Sequence, residues 1–256
     1  IETIRLLRKN YGYKDYIHLK IVPGASKDSI KRAMSLANRV SINIEAATSS
    51  GLAELSSTKD YNKDILKRLS WINAIEKHKS TYPHSTHTTQ LIVGANSETD
   101  KEILTRMSKI YKKSDLKRTY FSAFSPVEET EFKNKEACDV ARTNKLYNAD
   151  SLLNSYNYNV KELYFDDDDQ LDLSTDPKIL AARNMDIFPV EINSSSFREL
   201  IRVPGIGTKS ARKIISIRKK QPFASKEDLR KLGVAVERAE PYIKMKGEFQ
   251  SNLNNF

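Results

Sequence analysis

The stretch Arg202-Val-Pro-Gly-Ile-Gly-Thr-Lys-Ser-Ala-Arg-Lys-Ile-Ile215 decides how the C-terminal part of this chain folds. Upstream of it, Ser196-Phe-Arg-Glu-Leu-Ile-Arg202 predicts a short helix with apolar residues at 197, 200 and 201. Pro204-Gly205-Ile206-Gly207 breaks that helix. Thr208 is expected to cap a second one that carries Ala211, Ile214 and Ile215 on one face. Two glycines lacking Cβ atoms let an external group approach the main chain closely. The N–H groups that open the second helix, together with its dipole, form an anion site. An ordinary αα-corner also needs a turn, but it explains neither the glycine spacing nor the cations at 209, 212 and 213. The expected binding surface is Arg202, Gly205, Ile206, Gly207, Thr208, Lys209, Arg212 and Lys213, and the expected ligand is the phosphate backbone of DNA.

A second, poorer copy follows. After Arg218-Lys219-Lys220 the chain turns at Pro222 and restarts at Ser225-Lys-Glu-Asp228, a capping-box pattern. Leu229 and Leu232 lead to Gly233-Val-Ala-Val236, and a last short helix carries Ala239, Tyr242 and Ile243. Val234-Ala235-Val236 lacks the second glycine, so this half is expected to pack on the first rather than hold phosphate. The pair resembles the tandem helix-hairpin-helix modules of DNA-repair and DNA-uptake proteins. That resemblance implies reading of the backbone rather than base edges, hence weak sequence specificity. It also implies a monovalent cation at the carbonyls of Ile201, Val203 and Ile206.

The 256 residues suffice for two domains, and the formal net charge is +10. From Ile187 to Phe256 there are 14 Lys and Arg against 7 Asp and Glu. Most of the excess charge therefore sits with the hairpins, the footprint expected for a nucleic-acid partner. The single cysteine, Cys138, excludes a disulfide framework or a cysteine-ligated metal within this chain. The histidines at 18, 78, 84 and 87 have no metal-ligand spacing. No apolar run approaches membrane length and no signal peptide opens the chain, so a soluble, cytoplasmic protein with no membrane partner is expected. The first residue is Ile1, which suggests a piece trimmed at its N-terminus.

Upstream, helices alternate with short apolar strands. Strands are expected at Tyr16–Val22, Val40–Glu45, Thr89–Gly94 and Arg118–Phe124. Helices are expected at Ile4–Tyr11, Lys27–Asn38, Asn62–Lys79 and Glu98–Lys112. Such alternation implies parallel βαβ units, an open sheet or part of a barrel, with function at the carboxyl ends of the strands. Asn43 and Glu45, two apart, point to one face there. Gly94-Ala-Asn-Ser-Glu-Thr-Asp100 follows the third strand and opens a helix. Taken singly, Glu45 also reads as a salt-bridged strand end, and Glu98 as part of an acidic first turn.

Gly94-Ala-Asn-Ser-Glu-Thr-Asp-Lys-Glu102 resembles the turn after a late barrel strand in radical S-adenosylmethionine enzymes. Ser41–Glu45, Gln90–Gly94, Tyr120–Val127, Leu146–Asp150, Asp176-Pro-Lys178 and Phe188–Asn193 resemble one branch of these, the DNA modification or repair proteins that end in a helix-hairpin-helix. The resemblance implies an α/β fold: a partial TIM-type (β/α) radical S-adenosylmethionine barrel over 1–145, then a small all-α tandem helix-hairpin-helix domain over 187–247. Residues 146–186 would connect them, with the acidic run Asp166–Asp169, and 248–256 would be a disordered tail. It implies S-adenosylmethionine and a [4Fe–4S] cluster as cofactors, with Asn43, Glu45, Gly94 and Glu98 lining the cofactor or substrate pocket. DNA and a DNA-repair protein are the partners it implies.

The departure lies in the cluster. That family holds it with three cysteines in C-x-x-x-C-x-x-C, and thiolates fix such a cluster. This chain has Cys138 alone, expected to be a structural thiol, and is not expected to perform radical chemistry by itself. Either the cluster segment lies outside these residues or the protein is a degenerate relative. The alternative function is a non-catalytic DNA-binding protein whose α/β part serves as a scaffold or partner-binding domain. A different phosphate-dependent barrel lacks support, because no lysine nucleophile motif or glycine-rich phosphate loop is present.

Overall fold

The computed structural model describes residues 1–77 and 85–245. The histidines at 78 and 84, the expected helix end at 79 and the expected tail at 248–256 lie outside the described residues. The chain divides into two compact units, one of residues 1–147 with 168–170, the other of 148–167 with 171–256.

The first unit runs α1 (Glu2–Lys9), β1 (His18–Lys20), α2 (Lys27–Leu36), β2 (Arg39–Ser41) and α3 (Ser49–Leu55). A π-helical segment, Tyr61–Leu66, then enters α4 (Lys67–Lys77), followed by β3 (Thr86–Val93), α5 (Asp100–Tyr111) and β4 (Arg118–Ala123). The four strands pair in parallel in the order β1-β2-β3-β4. This is an open sheet of mixed α/β type. Among the described residues it does not close into a barrel, because β1 and β4 are edges.

Helix starts follow their caps. Ser26 accepts from the Ser29 amide at α2, and Thr99 with Glu102 forms a full capping box at α5. The strands alternate. Val40, Ile42, Leu91, Val93, Thr119 and Phe121 are buried, and α5 packs there through Met107 and Tyr111 against Thr119. The intervening positions are polar apart from Ile92. The register aligns Lys20 with Ser41, Ser41 with Thr88, and Gln90 with Tyr120. A parallel sheet covered on both faces reads as continuous hydrophobic strands. This one has a polar second face.

The second unit begins within α6 (Val140–Ser155) and continues through a 3-10 turn, Val160–Glu162, to α7 (Pro177–Arg183), β5 (Val190–Glu191) and α8 (Phe197–Leu200). It then runs α9 (Thr208–Arg218), α10 (Lys226–Arg230), α11 (Val236–Ala239), a 3-10 turn at Glu240–Tyr242 and β6 (Ile243–Lys244). The module is not all-α: β5 and β6 pair in parallel and tie its start to its end. Leu200, Ile201, Val203, Ile206, Ala211, Ile214, Leu229, Val234, Val236 and Ala239 form one core.

Residues 148–167 and 171–186, expected as a connecting segment, belong to this unit, and Arg202 explains why. Its side chain is 2% exposed. Nε and Nη2 donate to the two carboxylate oxygens of Glu162 at 2.8 and 3.1 Å. Nη1 donates to the Tyr156 carbonyl at 2.9 Å and Nη2 to the Asn157 carbonyl at 3.0 Å. The guanidinium also stacks 3.9 Å from the Tyr158 ring centroid. Partial burial pushes the Glu162 carboxyl upward, but its hydrogen bonds with Arg202 and the Asn159 amide outweigh this and hold it below the usual range. A bidentate guanidinium pair saturated this way is strong, and lysine cannot reproduce it. Replacing Arg202 with Met strands the Glu162 carboxylate and should destabilise the second unit by about 3 kcal/mol. A denaturant titration checks this, and an unchanged midpoint contradicts it.

Candidate nucleic-acid interface

The first hairpin lies between α8 and α9. Ser196 and Glu199 form a capping box at α8, which fixes the chain's entry, and the Ile206 amide donates to the Val203 carbonyl at 3.1 Å to close the turn. Gly205 has φ +86°, and a Cβ built on it would lie 2.3 Å from the Ala235 carbonyl oxygen. The Ala235 amide in turn donates to the Gly205 carbonyl at 3.0 Å. The second hairpin is therefore docked main chain to main chain on the first. Its amide bonds the partner hairpin, in keeping with its missing glycine.

Gly207, not Thr208, is the N-cap of α9, and no side chain caps that helix. The first-turn amides have no partner within the helix, and the dipole makes this end an anion site. The backbone of Gly207 is ordinary (φ −89°), and a Cβ there would meet only the Tyr156 hydroxyl at 3.7 Å. Its lack of a side chain therefore keeps the surface open and relieves no strain. Lys209, Arg212 and Lys213 are exposed on the following turn, with Thr208 half-buried. Arg212 lies over the Phe197 ring at 5.6 Å.

Two expectations need correction here. Arg202 does not belong to the binding surface, being buried in the clamp described above. Ile206 contributes a core side chain, 1% exposed, and its carbonyl accepts from Lys178 Nζ at 2.7 Å. The Val203 carbonyl is engaged by the Ile206 amide. Of the three carbonyls expected to hold a monovalent cation, that of Ile206 is thus engaged by Lys178 and that of Val203 by the Ile206 amide.

Lys178 was not anticipated as a site residue. Asp176 caps α7 through the Lys178 amide and Pro177 opens the helix, which drives the lysine inward until it is 8% exposed. Its ammonium sits 4.5 Å from the Tyr156 ring centroid. Burial pushes its pKa down to about 7; Asp176 opposes this, while Arg238 and Arg202 reinforce it. The Asp-Pro-Lys sequence marks the helix start, but nothing local to it reveals the burial.

In the first unit, a cavity of about 380 Å³ opens on the polar sheet face, lined by His18, Lys20, Ser41, Asn43, Thr88, Thr89, Gln90 and Tyr120. Of the expected pocket residues, Asn43 alone lines it. Glu45 (φ +62°) bridges to Leu91 through its backbone, and its carboxylate lies 3.6 Å from Lys59. Gly94 is closed off by Cys138, whose Cβ would be 2.7 Å from an added Cβ. Glu98 is 5% exposed, and its carboxylate accepts from the Ala47 and Thr48 amides at 2.8 and 2.6 Å and from the Thr48 hydroxyl at 2.6 Å. It fastens the loop before α3. Burial raises the pKa of Cys138, as suits a packing thiol. In the acidic run, Asp169 pairs with Lys101 at 2.7 Å. Among the described residues no group of three or more His, Cys, Asp or Glu could hold a metal, and no helix is long and apolar enough to cross a membrane.

Residues 187–234 match the family of the helix-hairpin-helix motif. No curated protein and no solved structure matches the chain. The matched span contains the first hairpin, α9 and the start of the second copy, and the motif is a nucleic-acid-binding element.

The two glycines should separate experimentally. Gly205→Ala should lower stability by about 1–3 kcal/mol, through positive φ and the clash with Ala235. Gly207→Val should leave the melting temperature nearly unchanged but weaken oligonucleotide binding about tenfold. Calorimetry and fluorescence anisotropy on both variants check this; equal effects of the two changes would contradict it.

Proposed function

We propose that this protein binds DNA through the first hairpin, with the uncapped N-terminus of α9 receiving a backbone phosphate and Lys209, Arg212 and Lys213 flanking it. The observation that carries this reading is an anion-ready helix end beside a glycine with open space above it, inside a matched helix-hairpin-helix. Contacts of this kind recognise phosphate and carry no base information. Affinity for unrelated duplexes should be equal within a few-fold. It should fall with salt at a log–log slope of about −3 to −4, for three to four phosphates. Lys209→Glu should weaken all sequences alike. Strong sequence preference, or binding indifferent to salt, would overturn the reading.

The finer reading is that the α/β unit is the body of a radical S-adenosylmethionine protein that modifies or repairs DNA. Four parallel strands in sequential order, with a polar second face holding Asn43 in an open cavity, support it. The residues present do not fit the iron–sulfur group, because three thiolates are required and Cys138 is the one cysteine. No step through the cluster follows from this chain. The engagement of Glu98 and Gly94 in packing favours the second reading, a scaffold or docking domain for a DNA-repair partner. Isothermal titration with S-adenosylmethionine discriminates the two. Saturable binding weakened by Asn43→Ala supports the cofactor reading, and no heat supports the scaffold.

A further inference from the structure

Beside the first hairpin the second unit contains a cavity of about 320 Å³. Its walls include Tyr156, Asp176, Lys178, Gly205, Gly207 and Arg238. A strand of nucleic acid that merely tracks across α9 does not need a concave site of this size. The cavity holds a buried amine that no carboxylate contacts directly, Asp176 acting on it only at longer range. Lys178 Nζ meets the Ile206 carbonyl and the Tyr156 ring, and among the described residues no carboxylate forms an ion pair with it. Asp176, the acidic wall residue, is directed elsewhere: Oδ1 accepts from the Lys178 amide at 2.8 Å and Oδ2 pairs with Arg238 at 2.8 Å.

Burial penalises the ammonium form of Lys178, and an anion entering beside it offsets that penalty. Arg238, about half exposed, supplies a second cation at the wall. Gly207 adds no side chain to block the way from the α9 end, and Tyr156 offers an aromatic wall with a hydroxyl 3.7 Å from the Cβ position of Gly207. A concave, solvent-open site with an aromatic wall and two basic side chains, one of them paired with Asp176, fits one terminal nucleotide better than a continuous diester.

We propose that this cavity binds the phosphate monoester at the end of a nucleic-acid strand, held between Lys178 and Arg238 next to the hairpin. The inference rests on the reading that the hairpin holds the backbone, and it adds a preference for phosphorylated ends over uninterrupted duplex.

Anisotropy measurements with four ligands of one sequence test it: a closed dumbbell without ends, and the opened duplex with hydroxyl ends, with a 5′ phosphate or with a 3′ phosphate. One phosphorylated end should bind about tenfold tighter than its hydroxyl counterpart. Lys178→Met should remove that difference. Arg238→Gln, a partly exposed position, should remove most of it and guards against a folding defect in the first variant. If the dumbbell binds and phosphorylation changes nothing, the cavity proposal is overturned and the hairpin reading stands. A difference that survives both substitutions also overturns it. If inorganic phosphate competes as strongly as the phosphorylated end, the cavity is a free-anion site and the proposal fails. If no ligand is retained even at low ionic strength, the hairpin reading itself falls and the proposal with it.

Discussion

The second unit depends on the meeting of two backbones at Gly205. A left-handed residue with no room for a Cβ lets the Ala235 peptide hydrogen-bond to the Gly205 carbonyl. This contact interlocks the hairpins and buries the Ile206 side chain in the shared core. It also gives the two copies different roles. The second hairpin's amide is engaged internally, while α9 emerges from the first with its leading peptides uncapped by any side chain. A pocket of unpaired N–H groups at a helix end is stable only where water or an anion can reach it, and the absence of a Gly207 side chain preserves that access.

Formal charge and surface charge diverge here. Arg202 looks, in sequence, like a member of one basic patch with Lys209, Arg212 and Lys213, yet it points inward, as does the unanticipated Lys178. Arg202 joins the segment around Tyr156, Asn157 and Glu162 to the hairpin, converting an apparent linker into part of the fold. Lys178 steadies the Ile206 carbonyl from below. On the α9 face, Lys209, Arg212 and Lys213 remain to meet a backbone from solvent. A modest electrostatic contribution follows, along with strong dependence on hairpin shape.

Local patterns carried much of this fold in the sequence. The apolar spacing around 197–215, the Ser196 and Ser225 caps and the βα alternation upstream all have neighbours within a few residues, and the structure contains corresponding elements. Thr208 differs, because Gly207 already has the extended backbone of an N-cap and leaves the threonine inside the helix. The less legible features depend on distant partners. Glu98 looked free until the Ala47 and Thr48 amides came within reach. Gly94 looked like an open cofactor turn until Cys138 closed over it. The polar sheet face was latent in the alternation of Ser41, Asn43, Thr88 and Gln90, but residue pattern alone does not say which face the helices leave uncovered.

Backbone amide shifts measured while an arbitrary-sequence oligonucleotide is added at low ionic strength test the central claim most directly. The account predicts that Gly207, Thr208 and Lys209 move first and furthest, with the second hairpin around Ala235 changing little. Large shifts confined to the α/β unit, with those three amides unmoved at saturation, would contradict it.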